Sequence, residues 1–429
     1  MTLLVLFGLF AALIVLEVPV AFAMGLSSIA TIVLTQPIPL SIVVQRMGTG
    51  LDSFVLIAIP LFVLAGHLLN RAGIAERIFA FAYAMVGHVR GGLAHVNVVA
   101  SMIFAGMSGV AQADAAGLGV VEVKAMREEG YDPAFAAAVS AASAIIGPII
   151  PPSVIMVVYA VLVQASVADL FLAGFLPGIL MGGALMAMIY WLVRTGRVVA
   201  PATRPMSFPR LGKTFVRALP ALAAPILLTV GLLAGVATPT ELGALTVVYA
   251  AALGFIQREL TIKDVVEAAR ETLVTCGVLV FIIACAVPFG WIVATSQAPM
   301  KLAQFMMSLS GDKFVILAII NVALLVIGCF METTAILLIA TPTLFPLIVA
   351  LGVDPVHFGI ILVVNLLIGT LTPPFGVILF IMMDIAKISL AQMSRAVLPF
   401  YVPLMFTLMV ITYWADFVLA VPRFFGKAN

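Results

Sequence analysis

The stretch Gly147-Pro148-Ile149-Ile150-Pro151-Pro152-Ser153 interrupts a long apolar segment and decides how that segment can fold. Adjacent prolines withdraw backbone donors and clash with the preceding turn, so no continuous helix passes through them. The break recurs at Gly369-Thr370-Leu371-Thr372-Pro373-Pro374-Phe375. The same shift of 222 positions carries Gly130, Asp132, Pro133 and Pro177 onto Gly352, Asp354, Pro355 and Pro399, which marks an internal repeat. Irregular backbone at membrane depth survives only where protein or a water-filled cavity satisfies it. Two interrupted helices at matching positions of two halves therefore point to a midplane binding site in a secondary transporter.

Composition agrees. Of 429 residues, 64% are hydrophobic and only 9% charged, which no water-soluble fold can cover with polar surface. The chain reads as an all-α polytopic membrane protein in the lipid bilayer. A net charge of +2, with no basic run interleaved with aromatics, leaves no footprint for nucleic acid. Cys276, Cys285 and Cys329 lack paired spacing and are expected to be small buried hydrophobes. Met1 to Leu16 lacks a basic start and a cleavage site and is expected to remain as a first helix.

Working outward, residues 3 to 34 form one apolar run containing Glu17 and Pro19, compatible with one kinked helix or two short segments. Glu17 is costly in hydrocarbon and is expected to face a smaller subunit or another helix. Pro39 to Phe54 looks like an interfacial amphipathic helix. A crossing follows from Val55 to about Asn70. The run from His95 to Met126 is interrupted at Gly106-Met107-Ser108-Gly109 and polarised at Gln112 and Asp114, which fits a re-entrant hairpin. Phe314 to Ala350, broken around Met331-Glu332-Thr333-Thr334, is its equivalent. Interrupted crossings run from about Asp132 to Gln164 and from Asp354 to Ile385, each followed by one more crossing, about 170–193 and 396–420. Between the halves come a basic loop, two crossings either side of Thr238-Pro239-Thr240-Glu241, and an amphipathic stretch from Arg258 to Glu271.

The basic loop, with Arg194, Arg197, Arg204, Arg210, Lys213 and Arg217, marks the cytoplasmic side. Parity then places 16 of the 21 basic residues inside; Arg46, Lys301, Lys313, Arg423 and Lys427 are the other five. One hairpin enters from each face, giving an inverted-topology repeat and a physical basis for alternating access. The division expected is a scaffold helix and arm (1–54), a first transport half (55–166), scaffold helices with the basic loop and second arm (167–272), a second transport half (273–390) and a C-terminal scaffold helix (391–429).

Half-helix ends carry partial charge, and small hydroxyl residues and glycines let carbonyls approach a bare cation. Ser108, Gly109, Ser143, Gly147, Pro148 and Ser153 form one candidate sodium set, and Thr333, Thr334, Asn365, Gly369, Thr370 and Thr372 the other. With few buried carboxylates in view, sodium is preferred to a proton relay. Substrate is expected near the hairpin tips, at Ser108, Asp114, Pro151, Pro152, Glu332, Pro373 and Pro374. Asp114 and Glu332 each read equally well as helix caps, Glu241 as a helix-start residue, and His357 as a structural turn residue.

The hairpin with Ser108-Gly109 and Ala113-Asp114, the Gly147-Pro148-x-x-Pro151-Pro152-Ser153 break, Thr238-Pro239-Thr240-Glu241, and Gly352-x-Asp354-Pro355-x-His357-Phe358-Gly359 leading to Thr372-Pro373-Pro374 resemble the large membrane subunit of the tripartite ATP-independent periplasmic transporters, over nearly the whole chain. Val110 departs from the family pattern, where a second serine is common. The resemblance implies an elevator mechanism, coupling to sodium without another cofactor, a small membrane subunit (Q-type), a periplasmic substrate-binding protein (P-type), and uptake of an organic acid such as a C4-dicarboxylate or sialic acid across the bacterial inner membrane. Two rivals carry weight of their own. The repeat alone demands no partner, so a binding-protein-independent sodium/carboxylate carrier fits it. Gly106-x-Ser108-Gly109 also matches a short intramembrane serine-protease pattern, with His357 as the base it would require.

Overall fold

The computed structural model describes residues 1–35, 38–201 and 205–425; Arg204 and Lys427 of the charge argument lie outside them. Thr2–Val15 (α1) and Val20–Thr35 (α2) pack on each other, so the N-terminal run is two short helices. Glu17 sits exposed in the turn between them, with φ +60°. Ser41–Leu51 (α3) ends at Asp52, and a 3₁₀ turn over Phe54–Ile57 leads into Ala58–Arg71 (α4). Ile74–Val86 (α5), a helix that the crossings read from sequence leave out, lies against the next one.

The first hairpin is Gly92–Ser108 (α6), Ala111–Ala116 (α7) and Leu118–Glu128 (α8). The first interrupted crossing is Pro133–Ala144 (α9) and Val154–Val163 (α10), followed by Val167–Arg194 (α11). Phe208–Ala234 (α12), Pro239–Ile256 (α13) and Ile262–Thr295 (α14) then precede the second half. Thr238 and Glu241 form a reciprocal capping box at the start of α13, the role expected of Glu241. The amphipathic stretch read from Arg258 to Glu271 is helical from Ile262 and runs unbroken into the following crossing, so residues 272 and 273 fall inside α14. At 34 residues α14 is about 51 Å long, far more than a bilayer core needs.

The second half continues with Ala298–Leu309 (α15), Lys313–Gly328 (α16) and Thr333–Ala350 (α17), then Pro355–Gly369 (α18) and Val377–Ala386 (α19). The last crossing, Leu390–Tyr413, begins and ends earlier than the 396–420 read from sequence. Leu390–Val397 (α20) passes through a 3₁₀ turn at Leu398–Phe400 into Tyr401–Tyr413 (α21), and Trp414 separates Ala415–Phe424 (α22). Among the described residues, seven helices are long and apolar enough to cross a membrane, or eight if α15 and α16, bent by 120°, count as one.

The two Gly-x-Asp-Pro turns explain where the interrupted helices start. Gly130 and Gly352 take positive φ (+93° and +65°). Asp132 accepts from Phe135 N at 2.9 Å, Asp354 accepts from Val356 N at 2.7 Å, and each proline fills the first helical position. Every residue from Val356 to Gly369 is buried, and so is every one from Phe135 to Ala144. Helices apolar all round belong inside. The interrupted crossings are thus the centre of the molecule, with α6 and α8 against α9, and α16 and α17 against α18. Tyr159 of α10 donates to Pro355 O at 2.8 Å and joins the two centres.

Candidate functional site

Each hairpin tip is seated on the break of its own half. In the first, Gly109 takes φ +66°, and a Cβ there would lie 2.6 Å from Pro152 O, so only glycine lets the tip reach the proline pair. Val154 N donates to Gly109 O at 3.3 Å. In the second, a Cβ on Gly369 would lie 2.9 Å from Gly328 Cα, and Phe375 N donates to Cys329 O at 3.2 Å. Both proline pairs, 151–152 and 373–374, are cis.

The side chains at the two junctions differ. Ser108 donates to Asp114 Oδ1, while Asp114 Oδ2 has no protein partner. Asp114 caps no helix; Val110 holds the N-cap of α7 without a side-chain bond. The carboxyl lies against Gly147, where a Cβ would come within 2.0 Å of Oδ2. Ser153 caps α10, accepting from Met156 N at 3.3 Å. Ser143 is fully engaged one turn before the break, donating to Asn97 Oδ1 at 2.7 Å, with Ser101 Oγ 3.0 Å away. In the second half Glu332 is a cap, accepting from Thr334 N at 2.8 Å and Ala335 N at 3.1 Å. Asn365 donates to Asn321 O and Oδ1 at 3.0 and 2.9 Å, leaving its own Oδ1 unpartnered and buried. Thr333 Oγ1 is likewise buried without a partner. Thr370 and Thr372 donate back to Leu367 O and Ile368 O, at 2.6 and 3.0 Å.

A cavity of about 450 Å³ lies between the two tips. Gly109, Val110, Gln112 and Pro148 line it from the first half, Glu332, Thr333 and Thr334 from the second, and the middle of α14, from Val274 to Ile282, supplies its far wall. Ser108, Asp114, Pro151, Pro152, Pro373 and Pro374 are not among the lining residues. The lining is largely apolar and carries no lysine, arginine or histidine.

His357 and Ser108 are engaged apart. The His357 ring stands 2.7 Å from Ile411 O and its backbone N donates to Asp354, so it is the turn residue expected, while Ser108 is turned to Asp114. No group of histidines, cysteines and carboxylates among the described residues is arranged to hold a metal.

Sequence reasoning passed over Glu122, which is 1% exposed on α8, and with it Asn97, Ser101 and Ser140 around it. The premise of few buried carboxylates fails for this half, where Asp114 is also only 2% exposed. The available signal was spacing: Glu122 follows Leu118 and Gly119 on the inward face of a return limb whose basic residues Lys124 and Arg127 lie on other positions.

This arrangement has relatives. The chain is 42% identical over 410 residues to the sialic acid TRAP transporter large permease protein SiaM of Vibrio cholerae, covering 95% of each. It is 37% identical over 407 residues to the C4-dicarboxylate TRAP transporter large permease protein DctM of Pseudomonas aeruginosa, again covering 95% of each. In fold it is similar to the YdaH transporter of Alcanivorax borkumensis, with a TM-score of 0.64 at 16% identity over 88% of this chain and 89% of that one. Residues 7–417 match the model of the tripartite ATP-independent periplasmic transporter, DctM component, and with the twin breaks and hairpins in place the chain belongs to that family as a multi-pass membrane protein.

Proposed function

We propose that this protein is the large permease subunit of a sodium-coupled system for organic-acid uptake, working by an elevator movement in the bacterial inner membrane. The observation that carries the reading is the cavity bounded by both hairpin tips and devoid of basic side chains. A carboxylate entering it meets no lysine or arginine, so its charge has to be offset by cations and helix ends brought to the same place. The unpartnered buried oxygens fit that need: Asp114 Oδ2 at the first junction, Asn365 Oδ1 and Thr333 Oγ1 at the second. Sodium takes such oxygens together with carbonyls of unwound backbone, here those around Gly147 and Gly369. Ser143, bound up in its own network, is left out of this assignment.

The transport body is taken to be the hairpins and interrupted helices, and the scaffold to include α1–α3, α11 to α14 and α20 to α22. The small membrane subunit and the periplasmic binding protein belong to the proposal through the family's tripartite description and the names of the relatives. Two sodium ions at about 100 mV gain roughly 4.6 kcal/mol from voltage, which a dianion carried inward cancels. A dianion therefore needs a third ion or the sodium concentration gradient.

The test is uptake of candidate acids into proteoliposomes, with sodium, the small subunit and the soluble partner each omitted in turn. Uptake that collapses in each case is the expected result. Uptake undiminished without the soluble protein moves the reading to a self-sufficient carrier. Unchanged sodium activation in Ser108→Ala, Thr333→Ala, Asn365→Ala and Thr372→Ala removes the sodium assignment.

A further inference from the structure

The cavity between the hairpin tips has a volume of about 450 Å³, within the range of small-molecule sites, roughly 300–1,000 Å³. Its polar side chains are Gln112 of α7, Thr275 of α14, and Glu332, Thr333 and Thr334 at the second tip. Glu332 and Thr334 are engaged with each other: the carboxylate accepts from Thr334 N, Ala335 N and, at 3.0 Å, Thr334 Oγ1. Thr333 is 4% exposed, and its hydroxyl has no partner in the protein. Its oxygen can face a sodium ion while its hydrogen goes to a ligand oxygen. The rest of the lining is largely aliphatic. Ile155 and Val158 come from α10, and Val274, Val278 and Ile282 from α14. Val274 and Val278 are 65% and 57% exposed, so these walls are left uncovered by the protein itself.

Counting hydrogens limits what such a cavity can hold. The side-chain donors not tied to Glu332 are the Gln112 amide, with two hydrogens, and the Thr275 and Thr333 hydroxyls, with one each. One ionised carboxylate accepts at about four positions, so a single carboxylate occupies all of them. A second carboxylate would meet no lysine, arginine or histidine in the lining and would share the cavity with Glu332. The hydroxyls of a sugar acid would exchange water for valine and isoleucine side chains, and each one left unpaired counts against binding. An apolar body suits the same walls, because burying it gains free energy in proportion to the area removed from water.

We propose that the acid taken by this cavity is a monocarboxylate with an aliphatic or aromatic body, its carboxylate between Gln112 and Thr333 and its body along α10 and α14. The assignment rests on the uptake reading for the role of the cavity and narrows its substrate class. It departs from the sialic acid and C4-dicarboxylate of the relatives' names. A monoanion entering with two sodium ions also leaves one net positive charge moving inward, whereas a dianion cancels both.

Saturation-transfer NMR on the full chain in nanodiscs, with sodium and no other subunit, tests this with 4-methylpentanoate, phenylacetate, succinate and sialic acid. The two apolar acids are expected to bind, with saturation strongest on their methyl and ring protons, and the other two at least tenfold more weakly. From butanoate to pentanoate affinity should rise about fourfold, the effect of one buried methylene. The uncharged 4-methylpentanamide should bind about tenfold more weakly than its acid; equal binding would make the cavity a recess for any apolar molecule and overturn the proposal. Val278 is exposed, so Val278→Asn should keep the wild-type melt while weakening both apolar acids about fivefold or more, and unchanged binding in that variant overturns the proposal. Thr333→Val should weaken 4-methylpentanoate and leave the amide unaffected. Tighter binding of succinate or sialic acid overturns the narrowed substrate class and leaves the uptake reading standing, since the proteoliposome assay with the soluble partner decides that separately. Binding by none of the four acids overturns it as well.

Discussion

In the first half, Asp114 and Glu122 are buried inside the hairpin; the positions equivalent to them under the 222 shift are Ile336 and Leu344. In the second half the carboxylate stands at Glu332, where it caps α17, and its counterpart is Val110, which caps nothing. The return limb follows suit. The first is split at Gly117 into α7 and α8, whereas α17 runs through in one piece despite Pro342 and Pro346. The approach to each half is reversed in character: α3 and α4 are separated at Asp52 and Ser53, while α14 is continuous. What the halves share are backbone devices, namely the Asp-Pro helix start, the proline break, and glycine at the tip or the break. Without these the fold does not close, whereas polar side chains can diverge once the chain is folded. The two junctions are therefore alike in shape and unlike in charge.

Six substitutions break or sharpen that comparison. The largest effect is expected where backbone meets backbone. A methyl group at position 369 would sit 2.9 Å from Gly328 Cα and 3.0 Å from its carbonyl oxygen, so Gly369→Ala has to push the second hairpin off its break. Overpacking of this kind costs about 1–3 kcal/mol or more. A thermal melt in detergent should show it, and a wild-type melt would mean that the second hairpin is loosely seated.

Charge comes next. Asp114→Asn is expected to raise the half-saturating sodium concentration about tenfold, the equivalent of 1.4 kcal/mol, and Glu332→Gln far less, since a glutamine oxygen can still cap. Equal shifts in sodium activation curves would erase the distinction between the junctions.

Asn365→Ala should cost about 1–3 kcal/mol by leaving the buried Asn321 Oδ1 without its donor, while Asn321 Nδ2 still reaches Thr412 Oγ1 at 2.9 Å. Ser143→Ala should cost nearer 1, because Asn97 and Ser101 keep other partners. Chemical denaturation of the paired variants compares them, and the reverse order would show the first network to be the more tightly coupled one.

The smallest effect belongs to the ion pairs that tie α4 and α5 to the stretch beginning α14, among them Arg71 with Glu271 at 2.7 Å and Arg77 with Glu259. Arg77→Met is expected to change stability by about 1 kcal/mol or less and to lose even that in high salt. A melting shift larger than that of Gly369→Ala would put these pairs, not the breaks, at the root of the architecture.

Much of this fold was legible because its signals are local. Pro151-Pro152 and Pro373-Pro374 forbid a helix wherever they stand, Asp132-Pro133 and Asp354-Pro355 start one, and Thr238 with Glu241 closes a cap within a single turn. Where the outcome depended on competition between neighbours, the sequence was silent. Residues 3 to 34 became two helices because α1 and α2 gain more by packing on each other than by continuing through Pro19. The stretch after Arg258 joined its crossing because α14 is held along its length by α2, α3, α4 and α17. The final crossing ended at Trp414 although no proline stands there.

The site divides in the same way. The linear order of residues determined that there are two breaks, two hairpins, and polar groups close to each, since glycine, proline and aspartate act on the backbone next to them. Only the assembled structure decided which oxygens are satisfied: that Ser108 turns to Asp114, that Ser143 is bound up with Asn97, that Asn365 keeps a free carbonyl, and that Glu122 is buried beside Ser101. A hydrogen bond between α6, α8 and α9 joins residues 21 to 46 positions apart. Burial and partnership at that range are properties of three-dimensional packing, which no local pattern encodes.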